Sequence, residues 1–257
     1  KRQVFLETEY LPKARATDGI NALPKGNEIY AYYTKSWTTT SKTPEEINKI
    51  GLEQVAMLRA EMDKIKQELG FVGTLEEFIT HVKSDPKAKP YKTEKEVIAG
   101  FNTILTKIKP KLSSMFGVTP ITPFEIRQTE KFREATASAE YIQGTPDGKR
   151  PGIFYIPIPD PTKFNVTSGM ESLFLHEAIP GHHYQVSLQQ ENTGLPAFMR
   201  FGWFGAYGEG WAHYCETLGP ELGLYTDPYQ KMGYLSDQML RAVRLVIDTG
   251  IHTGTMN

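Results

Sequence analysis

Three Thr-x-x-Glu sequences in the first half of the chain constrain its fold more than any other local feature. They are Thr43–Glu46, Thr74–Glu77 and Thr93–Glu96. A threonine hydroxyl and a glutamate three residues later can each accept a hydrogen bond from the other's backbone N–H, which satisfies free donors at the start of a helix. Apolar residues at helical spacing follow the first and the third of them: Ile47, Val55, Leu58, Met62, Ile65 and Leu69 before Gly70, and Val97, Phe101, Ile104, Leu105, Ile108 and Leu112. Residues 1–120 are therefore predicted to form a helical N-terminal part.

Residues 121–159 have the composition of strands and turns. Tyr141–Ile142 and Gly152–Pro157 are rich in β-forming residues and flank a turn at Pro146–Gly148. Because the prolines in and around the second segment cannot donate ladder hydrogen bonds, this segment is predicted to be an edge strand. Such an edge can be protected by its prolines or can pair with an extended peptide, and both interpretations fit the sequence.

The pattern returns to helix at Ser168. Ser168–Glu171 is a fourth candidate capping sequence, and further helices are predicted from about Ala206 to Leu218 and from about Pro228 to Ile247. Gly250 is the predicted stop of the last helix. The chain is therefore predicted to be mainly α with a small β-sheet.

The composition excludes some classes of function. The chain has 29 Lys and Arg against 30 Asp and Glu, a net charge of −1 that argues against broad electrostatic binding of nucleic acid. No apolar run approaches the ~20 residues of a transmembrane helix. The single cysteine, Cys215, cannot form an internal disulfide or a thiolate metal cluster. Five of the six histidines lie at or beyond His176, so the candidates for catalysis lie there.

The segment His176–His183, with the sequence HEAIPGHH, carries the strongest chemical signal. In zinc hydrolases a helix presents two histidines four residues apart, and the glutamate after the first is the general base. Here Pro180 occupies the fourth position, so the second ligand must be His182 or His183. At about 100° per residue, an ideal helix favours His183. Pro180 disturbs the helix, however, and an irregular turn can bring His182 round instead. His182 is the preferred prediction, and His183 remains the alternative.

A third metal ligand is available further along the chain. Glu209, His213 and Glu216 are four and three residues apart, which places them on one face of a helix. This face can be an ordinary polar surface. The aromatic residues around it indicate a buried helix, in which carboxylates require a cation or hydrogen bonds. Residues 121–257 are thus the predicted catalytic part, and they are predicted to form one continuous domain with residues 1–120.

Several segments of the chain resemble the DUF885 family of bacterial proteins. They are Tyr10–Pro12, Asp147–Tyr155, His176–His183, Tyr207–Glu216 and Arg241–His252, and they extend along nearly the whole chain. The family is related to zinc metallopeptidases of the gluzincin type, so the resemblance implies a gluzincin-like helical architecture. Family members are similar to much longer chains, which implies that this chain is a fragment truncated at both ends.

The resemblance also implies roles for individual residues. His176, His182 and Glu209 would bind Zn²⁺, and Glu177 would be the general base. Glu216 would orient a ligand histidine. His252 resembles the late histidine that donates a hydrogen bond to the oxyanion in related peptidases.

Arg244 and Tyr155 are the predicted substrate-binding residues. Arg244 can pair with Asp248 four residues later, or it can grip a carboxylate or carbonyl of the substrate. Tyr155 lies in the predicted edge strand. Together these residues predict a zinc-dependent peptidase with a peptide substrate. The alternatives are a zinc-dependent hydrolase of non-peptide amides or esters, and a non-catalytic protein with a vestigial metal site. The resemblance further implies a periplasmic or cell-envelope lipoprotein.

Overall fold

The computed structural model describes residues 1–256, which form eleven α-helices and one three-stranded sheet. The elements in chain order are α1 (Arg2–Phe5), α2 (Gly26–Thr38), α3 (Pro44–Glu68), α4 (Leu75–Ser84), α5 (Glu94–Met115), β1 (Phe124–Gln128), β2 (Glu140–Ile142), β3 (Gly152–Ile156), α6 (Met170–Glu177), α7 (His182–Glu191), α8 (Ala197–Arg200), α9 (Gly205–Thr217), α10 (Gly219–Leu222) and α11 (Pro228–Thr253). This content confirms the prediction of a mainly α fold with a small β-sheet. Within residues 1–256, no helix combines the length and apolar character that crossing a membrane requires.

The three capping sequences of the first half start helices as predicted. The hydroxyls of Thr74 and Thr93 each accept a hydrogen bond from the backbone N–H of the glutamate three residues later, at the starts of α4 and α5. Thr43 makes the same reciprocal bonds with Glu46 before α3. α3 ends at Glu68, and Gly70 takes a left-handed φ of 66°. These starts are local in sequence, which is why the pattern alone predicts them.

The fourth predicted capping sequence, Ser168–Glu171, is wrong. α6 begins at Met170 after Gly169, so Ser168 is not its N-cap, and the N–H of Glu171 donates to the side chain of Gln230 instead. The carboxylate of Glu171 instead accepts a hydrogen bond from the backbone N–H of Tyr225, at 2.6 Å. A contact between residues 54 positions apart has therefore replaced the local one.

The sheet has the order β1-β3-β2, with β1 parallel and β2 antiparallel to β3. The prediction that Gly152–Pro157 is an edge strand is therefore wrong, because β3 is the central strand. Its ladder covers only residues 152–156, so the neighbouring prolines lie outside it and interrupt no ladder bond. The edges of the described sheet belong to β1, which has no sequence prediction, and to β2.

The chain divides into two compact units. The first unit contains Lys1–Ala56 and Arg241–Asn257, and the second contains Met57–Leu240. In the first unit the side-chain amide of Asn48 donates to the carbonyl of Val246 and to the hydroxyl of Thr249, at 3.1 and 2.9 Å.

The stop predicted at Gly250 is wrong. α11 continues to Thr253, and the left-handed conformation belongs to Gly254, with a φ of 78°. Glycine in a helix is tolerated at a cost of roughly 0.5–1 kcal/mol relative to alanine, so a glycine alone does not end a helix. His252 consequently lies in the last turn of α11 and not beyond it.

Aromatic packing in the second unit positions α6. The rings of Phe101 in α5, Phe154 in β3 and Phe174 in α6 are fully buried. The centroid of the Phe154 ring lies 5.2 Å from that of Phe101 and 6.3 Å from that of Phe174. α9 packs against both α6 and α7. The residues of HEAIPGHH are therefore held between this core and α9.

Candidate metal site

A break between α6 and α7 shapes the HEAIPGHH segment. α6 ends at Glu177, residues 178–181 form a turn, and α7 begins at His182. Gly181 approaches α6 so closely that an added Cβ would lie 1.9 Å from the carbonyl oxygen of His176. Only a residue without a side chain fits there. The turn places the rings of His176 and His182 at a centroid distance of 4.8 Å.

His183 points into different surroundings. Its Nδ1 lies 3.0 Å from the hydroxyl of Tyr141, and its ring contacts Phe124 at a centroid distance of 5.0 Å. Of the two histidines that the spacing leaves open, His182 is the one that lies beside His176. Regular helical geometry favours His183, and the break at Pro180 reverses that order.

Glu209 joins the two histidines from the first turns of α9. Its Oε2 lies 3.3 Å from Nε2 of His176 and 3.7 Å from Nε2 of His182. One potential ligand atom each from His176, Glu177 and His182 also lies within 4.8 Å of the others. The structure thus brings together four of the predicted site residues.

Trp211 ties α9 to the turn between α6 and α7. Its indole N–H donates to the carbonyl of Pro180 at 2.9 Å. Trp211 lies two residues after Glu209, so the helix that presents this carboxylate also holds the turn that presents His182.

A second layer of contacts fixes the orientation of His176. Its Nδ1 lies 2.7 Å from Oε1 of Glu216, which is fully buried. The side-chain amide of Gln238 donates to the other oxygen of Glu216 at 2.8 Å, and Nδ1 of His213 lies 3.7 Å from that oxygen. Glu216 therefore occupies the predicted orienting position, and His213 belongs to this layer. Gln238 has no sequence signal, because no local motif marks it.

The electrostatics of the site favour a cation. Burial lowers the pKa of His176, but the hydrogen bonds to Glu209 and Glu216 outweigh it and raise this pKa to about 9. Burial, with the nearby His176, lowers the pKa of His182 to about 4. Burial raises the pKa of Glu177 to about 7. The carboxylates that stabilise a positive charge on His176 would equally stabilise a metal cation.

The donor set fits zinc. Two imidazoles and a carboxylate are a ligand combination of catalytic zinc sites, and zinc binds the neutral imidazole that the low pKa of His182 provides. The Nδ1 atom of His182 is buried and has no hydrogen-bond partner among residues 1–256. This ring is therefore held by packing and by the groups that its Nε2 faces.

A pocket of about 310 Å³ opens onto the site. Besides the four site residues it is lined by Ala139, Glu140, Tyr141, Gln143, Val186 and Trp203. β2 and its neighbours supply one wall, and Trp203 supplies another. The sequence predicted β2 as a strand but associated neither wall with the site, because no short-range pattern connects them to the histidines.

Tyr155 is not among the residues that line this pocket. It lies in the central strand β3, and the guanidinium of Arg133 lies 5.2 Å from the centre of its ring. The edge positions, on which its predicted role depended, belong to β1 and β2.

His252 and Arg244 belong to the first unit, where they line an apolar cavity of about 780 Å³. Nδ1 of His252 accepts a hydrogen bond from the backbone N–H of Ile20 at 3.0 Å. Asp248 accepts one from the hydroxyl of Tyr30 at 2.6 Å. In the described part of the chain Arg244 forms no ion pair with Asp248, so the intrahelical pairing considered from the sequence is not formed.

The chain is similar to one protein family and to a protein of known structure. The model of a family described as "Bacterial protein of unknown function (DUF885)" matches residues 1–257. The chain is 32% identical to "the putative lipoprotein from Colwellia psychrerythraea", whose crystal structure it matches with a TM-score of 0.87. The match covers 98% of this chain and 43% of the Colwellia chain, so this chain spans less than half of that protein. No curated protein sequence matches the chain.

Proposed function

This chain belongs to the DUF885 family of bacterial proteins, and we propose that it carries the active site of a zinc-dependent peptidase of the gluzincin type. One observation carries the proposal. The Nε2 atoms of His176 and His182 face the same carboxylate oxygen of Glu209, at 3.3 and 3.7 Å, with Glu177 beside them. Small shifts of these side chains would bring all three ligands to the ~2.0–2.2 Å that zinc requires.

Glu177 is the proposed general base. Zinc bound by His176, His182 and Glu209 would supply a Lewis acid that polarises the peptide carbonyl and acidifies water. The Glu177 carboxylate accepts the proton of the attacking water and passes it to the leaving amine. In the metal-free site burial raises the pKa of this carboxyl, which favours the uptake of a proton.

His252 is the proposed donor to the oxyanion. Its Nδ1 accepts the N–H of Ile20, and its Nε2, 3.7 Å from Oδ1 of Asp248, is the nitrogen left to donate. A protonated Nε2 is the donor that this role needs. Arg244, which lacks the Asp248 partner within residues 1–256, is proposed to bind a carboxylate of the substrate.

The free edge of β2 supports a peptide as the substrate. Among residues 1–256 β2 pairs with β3 on one side only, and residues 139–141 and 143 line the site pocket. An extended peptide can add to such an edge through main-chain hydrogen bonds. This edge takes over the role that the sequence assigned to Gly152–Pro157.

We also propose that the protein acts at the bacterial cell envelope. The proposal is supported by the 32% identity to a Colwellia protein described as a lipoprotein.

The decisive experiment combines metal analysis with hydrolysis. Full-length protein is expected to contain about one equivalent of zinc and to cleave peptides in a mixed peptide library read by mass spectrometry. Glu177→Gln should keep the zinc and lose the hydrolysis, because only the base is removed. Glu209→Ala should lose the zinc.

The exposed Glu53→Ala in α3 is the matched control and should change neither property. Retained hydrolysis in Glu177→Gln would exclude Glu177 as the base, and unchanged zinc in Glu209→Ala would remove Glu209 from the ligand set. If the protein binds zinc and hydrolyses esters or non-peptide amides but no peptides, it is the alternative zinc-dependent hydrolase.

A further inference from the structure

Trp203 is firmly held at the site although its side chain is half exposed. Its six-membered ring lies on the backbone of Gly208, where an added Cβ would be 2.0 Å from Cη2 of the indole. Its ring centre lies 5.8 Å from that of His182. Gly208 directly precedes Glu209, so Trp203 is seated on the helix turn that presents this carboxylate. Its exposure of 52% leaves much of the indole available to a ligand.

The segment that carries Trp203 is fastened to the helix that carries His182. The side-chain amide of Gln189 in α7 donates to the carbonyls of Met199 and Gly202, at 2.6 and 3.0 Å. The guanidinium of Arg200 donates to the carbonyl of Gln190, also in α7, at 2.9 Å. These bonds fasten the backbone that precedes Trp203 to α7. The indole is therefore attached to the site through α7 and through its contact with Gly208 of α9.

The remaining walls of the pocket define what can lie against this indole. Ala139 and Val186 add apolar surface. Three glutamates line the pocket, and none of the lining residues that the structure describes is lysine or arginine. Arg133, which is not among the lining residues, pairs with one of them, Glu140. An apolar side chain therefore fits against this wall, whereas an acidic side chain would face the carboxylates with no lysine or arginine of the lining to pair with.

We propose that Trp203 is the specificity-determining wall of a subsite that takes a large apolar or aromatic side chain next to the scissile bond. This inference rests on the proposed peptidase function. The indole offers a flat apolar face on which such a side chain buries surface and which favours an aromatic ring in offset or edge-to-face contact. The pocket volume of about 310 Å³ lies at the lower end of the range for ligand sites, which suits one side chain with its adjoining peptide bond.

The test compares peptides that differ at one position. The zinc-loaded full-length protein is given peptides of the form Ala-Ala-X-Ala-Ala, with Phe, Ala or Asp at X, and kcat/KM is measured for each. The Phe peptide is expected to be preferred over the Ala peptide, and the Asp peptide to be the poorest. Trp203→Ala should reduce the ratio of Phe to Ala by about tenfold to 100-fold, because one aromatic contact is lost, and should leave the zinc content unchanged.

Two further variants separate specificity from structure. Trp203→Phe retains an aromatic wall and should keep most of the preference. Phe198→Ala removes an aromatic side chain that is 77% exposed on the same segment and does not line the pocket, and it should leave the ratio unchanged. An equal loss of kcat/KM for the Phe and Ala peptides in Trp203→Ala would overturn the proposal, since a merely structural role has that effect.

A protein that hydrolyses no peptide would contradict the proposed function and still decide this inference. Peptide binding to the zinc-loaded protein would then be measured by calorimetry. Tighter binding of the Phe peptide than of the Ala peptide, lost in Trp203→Ala, supports the subsite. Equal binding of the two peptides excludes it.

Discussion

Oε1 of Glu216 lies 2.7 Å from Nδ1 of His176, in a position that leaves the Nε2 of the same ring facing Glu209. Glu216 therefore decides which nitrogen of His176 carries the proton and which can bind a metal. Replacing Glu216 with alanine should lower zinc affinity by about 10–100-fold, the usual effect of removing such a partner. Competition with a chromophoric chelator measures this affinity.

The control for this prediction is Glu221→Ala. Glu221 is exposed in α10, and its backbone carbonyl, which the substitution retains, accepts a bond from Lys111. The variant should bind zinc as the parent does. Unchanged affinity in Glu216→Ala would mean that His176 keeps its orientation without Glu216.

Gly181→Ala should both destabilise the protein and weaken metal binding. The new Cβ would lie 1.9 Å from the carbonyl oxygen of His176 and 2.3 Å from that of Leu175, so the backbone that presents His182 must move. We expect a loss of about 2 kcal/mol or more in the free energy of unfolding. Denaturant unfolding and zinc titration measure the two effects.

Gly210→Ala is the matched control for Gly181→Ala. Gly210 lies in α9, and an added Cβ there meets no atom within 4 Å. Since alanine favours helix, this variant should gain up to about 1 kcal/mol and keep its zinc affinity. If both alanine variants behave alike, the close approach at Gly181 is not what positions His182.

Cys215 should be unreactive in the folded protein. Its side chain is fully buried, and burial, aided by the charge of Glu216, raises the pKa of the thiol far above its usual value. Thiolate is the reactive form, so maleimide labelling at pH 8 should be slow under native conditions and fast in denaturant. Mass spectrometry follows the reaction. Complete labelling of the folded protein within minutes would contradict the burial of Cys215.

Glu171 should make the metal-free protein less stable as the pH rises. Burial raises the pKa of this carboxyl above its ordinary value, so the folded state favours the protonated form. Its contribution to stability is fully present below the unfolded pKa and is lost as the pH rises through the folded pKa. Glu171→Gln keeps an oxygen that can accept the bond from Tyr225 and removes the titration.

Urea unfolding of both proteins in EDTA at pH 4 and pH 7 checks this prediction. From pH 4 to pH 7 the stability of Glu171→Gln relative to the parent should increase. If the free energy of unfolding changes equally with pH in the two proteins, ionisation of Glu171 does not destabilise the folded state.

The sequence predicted the helices best where their signals are local. The Thr-x-x-Glu starts of α3, α4 and α5 need only a residue and its neighbour three positions on. The same pattern failed at Ser168, because Glu171 is used by Tyr225 in another part of the chain. The failure at β3 has the same origin, since its central position depends on pairing with β1, which has no sequence prediction.

The residues of the candidate site likewise include some that the sequence indicates and some that only the fold brings in. His176 and Glu177 follow from motif spacing, the family resemblance singles out Glu209, and the structure brings all three together with His182. Spacing alone could not choose between His182 and His183, because the choice depends on the turn at Pro180 and Gly181. Gln238 and Trp203 reach the site from segments that carry no recognisable motif. Only the folded chain reveals them.

The bond from Trp211 to the carbonyl of Pro180 makes α9 responsible for two ligands at once. The helix carries Glu209 itself, and it braces the turn that carries His182. Fraying of its first turns would release both Glu209 and His182, so the site should form and unfold as one cooperative unit. Metal binding would then slow the amide hydrogen exchange of α9, so the protection of this helix would report on metal occupancy.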